Sequence, residues 1–410
     1  MRILVLSSVY PSATTPTRGV FVRERTRHLS VHCGMEVVSP VPWFPFNRLL
    51  RGAARTLIPR LETQDGLTVH HPRYLSVPGV LKSLDGLLYF AGMLPYLSRL
   101  MRHTPFDLID AHFAYPDGLA GLLLARRLGV PFTVTLRGTE VPLSQLRLRC
   151  PQIKRVLRSA DRVIGVSQSL ADLAQRLGAP ADRVRVIPNG IDGTLFRRGP
   201  KREARQALGL PEDRPLLLSV GGLTDRKGHH RIIQLVPALR ATYPNVLLAV
   251  VGGPTVEGDT GPRLRALTGE LGLSEHVRLA GACPHDQIPT WLQAADLFCL
   301  ATRNEGRPNA VIEALACGLP VVTTDVGGNA EIVRPGQDGL LVPFGDPDAL
   351  LQALRDGLET SWDHEAMSRR ARARTWDQTA VQVAAEFEAV LRDRARPSQG
   401  PIAHPAERGR

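Results

Sequence analysis

The sequence lacks the features of several large protein classes. Its 410 residues contain no apolar run near the ~18–20 residues that a membrane-spanning helix needs. It has no zinc-finger spacing, no basic helix with heptads and no aromatic-rich RNA-binding motif, and aromatic residues make up only 5%. The net charge of +12 therefore favours an anionic lipid or a phosphorylated substrate as a partner over nucleic acid.

Cysteine and lysine are also scarce. The five cysteines are widely spaced and form no CxxC pair, which disfavours a disulfide framework or a structural zinc site and fits a reducing cytoplasm. Only four of the 51 basic residues are lysines, an imbalance best explained by codon bias. The short apolar start at residues 1–7 is followed at once by Pro11 and polar residues, so we predict a first buried strand there and not a signal peptide.

What the sequence has in quantity is short apolar runs that alternate with helical patterns. Such alternation is typical of parallel, doubly wound sheets. In the first half we predict strands at Ile3–Leu6, Glu36–Ser39, Leu67–His70, Leu108–Ala111, Thr133–Leu136, Val163–Val166 and Val184–Ile187. After a stretch rich in Arg, Gly and Pro, we predict a second series at Leu216–Val220, Leu247–Val251, Val277–Leu279, Leu297–Leu300, Val321–Thr324 and Gly339–Val342.

The predicted fold class is α/β, with two tandem Rossmann-like domains that face a cleft. We place the N-terminal domain at residues 1–192, a linker at 193–213 and the C-terminal domain at 214–375. A helix at 376–393 is expected to pack back on the N-terminal domain, and the Pro-, Gly- and Arg-rich tail at 394–410 is expected to be disordered. Ligands of such sheets bind beyond the carboxyl ends of the strands, so candidate motifs should follow strands.

Two glutamates stand eight residues apart in the segment 301–314, across a loop that enters a helix. Free backbone N–H groups at Asn309 and Ala310 would face the cleft, and a helix N-terminus favours phosphate. Glu305 and Glu313 are therefore candidate site residues. The alternatives are a solvated surface charge for Glu305 and a favourable interaction with the helix dipole for Glu313.

A second candidate motif follows the predicted strand at Leu216–Val220. There a glycine turn leads to Arg226 and Lys227 directly before a helix. An arginine fork beside a lysine point charge suits two phosphates, although an exposed basic turn is an equally simple interpretation. The motif is not a P-loop, because the GxxxxGK[ST] spacing is absent. In addition, no GxGxxG follows a strand, which disfavours a dinucleotide oxidoreductase.

Three strand ends of the first domain carry polar residues that should meet in one crevice. They are a loop that ends in Arg18-Gly19, His112 after the fourth predicted strand and Arg137 after the fifth. Each alone is more often surface decoration, but together they form a candidate site. By contrast, Asp346-Pro347-Asp348 is interpreted as a helix cap and not as a metal-binding pair, and Pro188-Asn189-Gly190 as a structural turn.

These motifs resemble those of the family 4 glycosyltransferases of GT-B fold. The resemblance covers about residues 1–390 and rests on Glu305-x₇-Glu313, Arg226-Lys227-Gly228, Pro188-Asn189-Gly190-Ile191-Asp192 and Gly327-Gly328-x-x-Glu331. The first-domain stretches are similar to the branch that builds bacterial surface polysaccharides, including teichuronic acid and exopolysaccharides; they are Ser8-Val9-Tyr10-Pro11, Gly19-Val20-Phe21 and Thr135-Leu136-Arg137-Gly138.

The resemblance implies a cytoplasmic, retaining enzyme that moves a sugar from a nucleotide sugar to a glycan or lipid-linked acceptor, without a metal or other cofactor. It implies that Glu313 binds the ribose and that Glu305 contacts the donor sugar. The other contacts it implies are Arg226, Lys227 and the backbone of Asn309 and Ala310 at the diphosphate, the Gly19 loop over the phosphates, Cys283 beside the base, and His112 with Arg137 on the acceptor side.

Two departures from the family pattern keep other functions open. Gly222 stands where the family has an arginine, whose charge Arg226 would replace, and Arg137 stands where the family has a histidine. A catalytically silent protein that binds a nucleotide sugar as a sensor or scaffold is therefore a second hypothesis. A glycoside hydrolase that uses Glu305 and Glu313 is a third, but it leaves the diphosphate-type site unexplained.

An apolar pattern that begins at Val80 suggests that the first domain contacts the inner face of the plasma membrane peripherally. The pattern lies near basic residues and continues through Leu81, Leu84, Leu87, Leu88, Phe90, Leu94 and Leu97. Apolar and basic residues together favour an anionic membrane surface. The competing interpretation is a helix whose apolar face belongs to the core.

Overall fold

The computed structural model describes residues 1–45, 58–77, 79, 81–255 and 257–395. The first half of this described chain contains the strands β1 (Arg2–Leu6), β2 (Gly34–Val38), β3 (Val41–Trp43), β4 (Leu61–Gln64), β5 (Leu67–His70), β6 (Arg73–Leu75), β7 (Leu108–His112), β8 (Phe132–Leu136), β9 (Arg162–Gly165) and β10 (Val184–Val186). Eight of them form one sheet in the order β10-β9-β8-β7-β1-β2-β5-β4, which is parallel except for the β4–β5 pair. Strands β3 and β6 pair separately.

Helices cover both faces of this first sheet. They are α1 (Val20–Leu29), α2 (Asp85–His103), α3 (Leu119–Leu128), α4 (Glu140–Leu143), α5 (Cys150–Ser159) and α6 (Gln168–Arg176). Apolar side chains of α2, α3, α5 and α6 form one core against the sheet, and Leu29 of α1 belongs to a separate core on the other face. The carboxyl ends of β1, β7 and β8, where the sequence predicts site residues, consequently open at one edge.

The second half repeats this architecture. Its strands are β11 (Leu216–Val220), β12 (Leu247–Val251), β13 (Val277–Gly281), β14 (Leu297–Leu300), β15 (Val321–Thr324) and β16 (Gly339–Val342). All pair in parallel in the order β13-β12-β11-β14-β15-β16, the doubly wound order in which a crevice opens between the first and fourth strands. Strands β11, β12 and β14 are apolar and buried along their whole length, because helices pack on both faces.

The helices of the second half are α7 (Lys201–Ala207), α8 (His229–Leu239), α9 (Gly261–Glu270), α10 (Ile288–Ala294), α11 (Asn309–Ala316), α12 (Pro347–Glu359), α13 (His364–Arg372) and α14 (Trp376–Ala395). The Asp346 side chain accepts a hydrogen bond from the Ala349 amide at 2.9 Å, and Pro347 is the first residue of α12. This segment is therefore a helix cap, as its sequence predicts.

The segment 193–213, which composition predicts to be a linker, contains helix α7 and packs on the second domain. Arg205 of α7 is buried and donates from Nη2 to Asp296 Oδ2 at 2.7 Å and from Nε to the Ala294 carbonyl at 2.9 Å. Composition is misleading here because one of the four arginines of the segment, Arg205, is neutralised inside the domain by Asp296.

Helix α14 returns to the first domain. Its buried residues join α1 and the sheet in one apolar cluster of Ile3, Leu29, Cys33, Leu108, Ile164, Ile187, Ala380, Val383, Ala384, Phe387 and Val390. The chain crosses at Pro188–Gly190, where Thr379 Oγ1 donates to the Pro188 carbonyl at 3.0 Å. Most of the predicted tail, residues 396–410, lies outside the described residues.

Most of the apolar pattern near α2 belongs to the core. Leu97 is fully buried together with Tyr89 and Met93, and Leu88, Phe90 and Leu94 pack against that core. Only Leu81, Leu84 and Leu87, at the start of the helix, are exposed, and Val80 lies outside the described residues. In the described part of the chain, no helix is both long enough and apolar enough to cross a membrane.

Helix α14 should contribute strongly to the stability of the first domain. Phe387→Ala removes a fully buried ring and should lower the free energy of unfolding by about 3–5 kcal/mol. Val381→Ala, on the same helix but 53% exposed, should change it by less than about 0.5 kcal/mol. Urea unfolding measures both, and equal transition midpoints for the two variants would contradict the packing of this helix.

Candidate functional site

The turn after β11 brings two cations to the carboxyl ends of the central strands. A 3₁₀ turn at Asp225–Lys227 is followed by Gly228, the N-cap residue directly before α8, with φ +76°. A side chain at Gly228 would overlap the carbonyl oxygen of Ala301, just beyond β14. The glycine therefore allows the cationic turn to pack directly against the segment that carries Glu305.

Glu305 is the centre of this site. It is only 7% exposed, so the structure excludes the interpretation of a solvated surface charge. Its Oε1 accepts from Lys227 Nζ at 2.7 Å, Arg226 Nη1 at 3.2 Å and Thr302 Oγ1 at 3.1 Å. Burial acts to raise the pKa of Glu305, but the two neighbouring positive charges outweigh it and lower the pKa below its ordinary value. Glu305 is therefore a buried carboxylate that holds two cations.

Arg226 lies between two carboxylates. Its Nη1 faces Glu305, while Nε and Nη2 form a fork onto Glu257 at 2.9 and 3.0 Å. The Glu257 side chain is partly exposed, whereas Glu305 is not. An anion that enters the cleft would therefore compete with Glu257 for the arginine and not with Glu305.

Glu313 lies on α11, one turn after the first residue of that helix. It is the fifth residue of the helix and is nearly buried, so the predicted interaction with the first-turn dipole is not its role. Its Oε1 contacts His285 Nε2 at 3.1 Å, from the turn after β13. Burial would lower the pKa of His285, but the hydrogen bond and charge of Glu313 raise it. The two side chains form a partly exposed polar pair beside Cys283.

A chain of side-chain hydrogen bonds crosses from the first domain to the start of α11. Arg137 donates from Nη2 to His112 Nδ1 at 3.0 Å and from Nη1 to Asn189 Oδ1 at 2.7 Å. Asn189 in turn donates from Nδ2 to Asn309 Oδ1 at 3.0 Å. The predicted structural turn at Asn189 thus also connects the two halves of the cleft.

The same chain continues into the first domain through buried charges. His112 Nε2 lies 3.3 Å from Asp110 Oδ2, and Arg25 Nη2 lies 3.1 Å from the same oxygen. Burial and the charge of Arg137 lower the pKa of His112 to about 3. Because Nδ1 accepts from Arg137, the neutral ring carries its proton on Nε2 and donates it to Asp110. Arg137 and Asp110 therefore fix the tautomer of His112, and Arg25 supplies the counter-charge for Asp110.

The two domains also touch through glycines and a helix end. Side chains at Gly138 or Gly306 would overlap the backbone of the opposing loop, so these loops meet only because both are glycine. On the other side of this contact, Glu331 accepts from the amides of Gln168 and Ser169, at the start of α6, at 2.8 and 3.0 Å. A carboxylate of the second domain thus caps a helix of the first.

The remaining predicted residues lie around this centre. Asn309 and Ala310 are the first residues of α11, where backbone N–H groups have no acceptor inside the helix. Gly19 is the N-cap residue directly before α1, with φ +74°, and a side chain there would overlap the Val9 carbonyl. Cys283 is half-buried, with Sγ 3.7 Å from Gln287 Oε1.

Sequence reasoning missed several members of the site, which are Arg25, Asp110, Asn189, Glu257 and His285. The sequence could have identified His285 as a candidate, because it follows a predicted strand and directly precedes a helix. Arg25 and Asp110 carry no such signal, since a charged residue inside a helix or strand pattern reads as its solvent face.

The buried Arg25–Asp110 ion pair should be essential for the chain of hydrogen bonds that leads through His112 and Arg137 to α11. Asp110→Asn leaves the Arg25 guanidinium buried without a counter-charge and should lower the free energy of unfolding by about 3–5 kcal/mol. Asp377→Asn, at a carboxylate 77% exposed, is the matched control and should be nearly neutral. Chemical unfolding compares them, and an unchanged midpoint for Asp110→Asn would contradict the proposed charge pair.

Known protein families match this chain from residue 55 to residue 374 in two segments. Residues 200–374 match the family Glycosyl transferases group 1, and residues 55–194 match Glycosyltransferase Family 4. TuaC of Bacillus subtilis, named for teichuronic acid biosynthesis, is 32% identical over 89% of this chain and 90% of its own length. The D-inositol 3-phosphate glycosyltransferase of Thermobispora bispora is 31% identical over 83% of this chain and 84% of its own.

Solved structures agree on the fold. Sucrose-phosphate synthase from Thermosynechococcus elongatus superposes with a TM-score of 0.79 at 22% identity, over 96% of this chain and 99% of its own. HepE of Anabaena, solved with UDP-glucose, superposes with a TM-score of 0.72 at 21% identity, over 95% of this chain and 99% of its own. The chain belongs to the family 4 glycosyltransferases and has their GT-B fold, with two Rossmann-like domains.

Proposed function

We propose that this glycosyltransferase is a retaining enzyme that moves a sugar from a nucleotide sugar to a glycan or lipid-linked acceptor in cell-surface polysaccharide synthesis. The observation that carries the proposal is the pairing of Arg226 and Lys227 around buried Glu305, beside the start of α11. This arrangement offers cations and free amides to a diphosphate, and a carboxylate to sugar hydroxyls.

The donor assignment rests on charge. A nucleoside diphosphate gains negative charge as it leaves the sugar, and fixed cations stabilise that charge best where water is excluded. Lys227 and Arg226 would supply this stabilisation, so the proposal includes no metal ion or other cofactor. The UDP-glucose bound to HepE, which shares the fold, supports a nucleotide sugar as the donor class.

The two glutamates take different parts of the donor in this proposal. Glu313, which is hydrogen-bonded to His285, would accept hydrogen bonds from the ribose hydroxyls, and Cys283 would lie beside the base. Glu305 reaches the hydroxyls of the donor sugar while it holds the diphosphate cations in place. The Gly19 loop, which follows β1 and precedes α1 in the first domain, would approach the phosphates from that side.

The acceptor would enter from the first domain, past His112 and Arg137. Neutral His112, with its proton directed to Asp110, presents no charge of its own to the incoming group. The polysaccharide assignment draws on the similarity to TuaC, whose name refers to teichuronic acid biosynthesis. We further propose that the enzyme acts on the cytoplasmic side of the membrane, where it would meet a lipid-linked acceptor.

Removing either cation should weaken donor binding. Lys227→Ala and Arg226→Ala should each reduce the affinity for nucleoside diphosphate by ~10–150-fold, since a hydrogen bond to a charged group contributes ~1.5–3 kcal/mol. The double variant should lose less than the sum, because both cations share one target. Arg226→Lys should restore affinity only in part, because a point charge lacks the fork. Isothermal titration calorimetry measures each affinity.

A substitution at Glu257 should change the affinity for nucleoside diphosphate in the opposite direction and therefore serves as a control. Its carboxylate occupies the Nε–Nη2 edge of Arg226, so Glu257→Gln should strengthen nucleoside diphosphate binding several-fold. The diphosphate assignment is wrong if both cation variants keep the parent's affinity and turnover while circular dichroism shows an intact fold.

The glutamates should separate nucleotide binding from sugar transfer. Glu313→Gln should weaken binding of the free nucleoside diphosphate, because its proposed contact is the ribose. Glu305→Gln should not weaken that binding, because the amide oxygen can still accept from Lys227 and Arg226. It should nevertheless lower turnover, because the proposed contact of the carboxylate is the sugar. Titration with nucleoside diphosphate and a nucleotide-release assay distinguish the two, and identical profiles for both variants would contradict the assignment.

Donor class and turnover are measured directly. A thermal-shift screen against UDP-, GDP- and ADP-sugars should single out one donor, because ligands stabilise the folded state by mass action. Nucleotide release should then depend on added acceptor lipid, and the new glycosidic bond should keep the donor's anomeric configuration by NMR. Saturable binding without release on any donor would instead favour a sensor or scaffold.

A further inference from the structure

A basic groove lies on the first domain, along the solvent-facing side of α5. It has a volume of about 670 Å³ and is lined by the end of α4 and by α5, at Ser144, Gln145, Arg147, Cys150, Pro151, Lys154, Arg155, Arg158 and Ser159. We propose that this basic groove and the exposed leucines around it dock the enzyme onto an anionic membrane surface.

The cations of the groove are not neutralised. Throughout the described chain, the structure records no carboxylate within ion-pair distance of Arg147, Lys154, Arg155 or Arg158. Elsewhere on the protein, exposed arginines such as Arg198 and Arg303 pair with acids. The sequence from 141 to 160 also contains five basic residues and no acid. A concentration of unpaired positive charge remains available to an external anion.

Leucines project from the edge of the same groove. Leu148 is 71% exposed and Leu146 is 46% exposed, on the loop that leads into α5. Helix α5 buries Ile153, Val156 and Leu157 on its other face, so its cationic side is the one that faces solvent. These two exposed leucines, on either side of Arg147, have no structural role in the core, but they fit insertion among lipid headgroups.

A second set of exposed leucines adjoins the first. The Gln152 side chain of α5 donates to the Ser83 carbonyl at 3.0 Å, which joins α5 to the turn before α2. That turn exposes Leu81, which is 61% exposed, together with Leu84 and Leu87. Three further exposed leucines therefore lie in a segment that contacts α5, although that segment is about 60 residues from Leu146 and Leu148 in sequence.

An anionic membrane fits this surface better than a macromolecule in solution. Nucleic acid would be met by cations and aromatic stacking side chains, whereas this surface offers leucines. Anionic lipids attract clustered cations and accept apolar side chains at their headgroup boundary. The combination of unpaired charge and exposed leucines is complementary to both parts of such a surface.

Docking here rests on the proposed function only for its purpose, which is to bring the enzyme to a lipid-linked acceptor. The docking itself needs no donor, acceptor or turnover. Flotation of the full chain with vesicles therefore tests it independently, since nucleoside diphosphate binding can stay normal when docking fails, and docking can persist when transfer fails.

The experiment is flotation with vesicles of phosphatidylcholine alone or of phosphatidylcholine mixed with the anionic lipid phosphatidylglycerol. The parent should float with the anionic vesicles, stay at the bottom with phosphatidylcholine and lose binding as salt rises. Arg147→Glu with Arg155→Glu should reduce partitioning at least ~25-fold, because each cation contributes about fivefold near an anionic leaflet. Leu146→Ser with Leu148→Ser should reduce it further at every salt concentration.

A charge-matched control lies on the second domain. Arg240→Glu with Arg265→Glu makes the same change in net charge at exposed positions and should leave flotation near that of the parent. Retained nucleoside diphosphate binding in each variant shows that the fold is intact. Equal loss in the control pair would show a non-specific charge effect and overturn the proposal, as would a parent that fails to float. Binding of the parent to double-stranded DNA with an affinity above that for vesicles would also overturn it.

Discussion

The buried carboxylate of Glu305 is the interaction on which the donor half of the cleft depends. It lies beyond β14 and holds Lys227 and Arg226, which come from the turn after β11, so one side chain ties together the ends of the two central strands. Its backbone is equally constrained, because a side chain at Gly327 would overlap the Glu305 carbonyl. Without this carboxylate, two cations would face each other in a half-buried site with no counter-charge between them.

A polar chain carries this organisation across the cleft. Starting from the buried Arg25–Asp110 pair, it passes through His112, Arg137 and Asn189 to the first residue of α11. Every link is a hydrogen bond or ion pair between side chains, so the position of the helix N-terminus is coupled to the acceptor side. The glycine contact at Gly138 brings the domains close enough for these links to form.

The sequence predicted the parts of this structure that depend on local pattern. Strands β5, β11, β12, β14, β15 and β16 have the predicted bounds, because buried parallel strands are short apolar runs between turns. Helix α7 was missed because its arginine is neutralised by Asp296, which no local pattern reveals. Asn189 was interpreted as a turn residue because its second role, a hydrogen bond to Asn309, depends on the arrangement of two domains. Local chemistry thus identified the cations and carboxylates, but the tertiary fold decided which of them meet.

The central claim is that Lys227, Arg226 and the start of α11 form a site for the diphosphate of a nucleotide sugar. The most direct measurement compares the affinities of the parent for a nucleoside diphosphate and the matching monophosphate by titration calorimetry. The account predicts that the diphosphate binds at least ~10-fold more tightly, since the second phosphate adds a charge-assisted contact. It also predicts that Lys227→Ala abolishes most of this preference. Equal affinities of the parent for the two nucleotides would contradict the account.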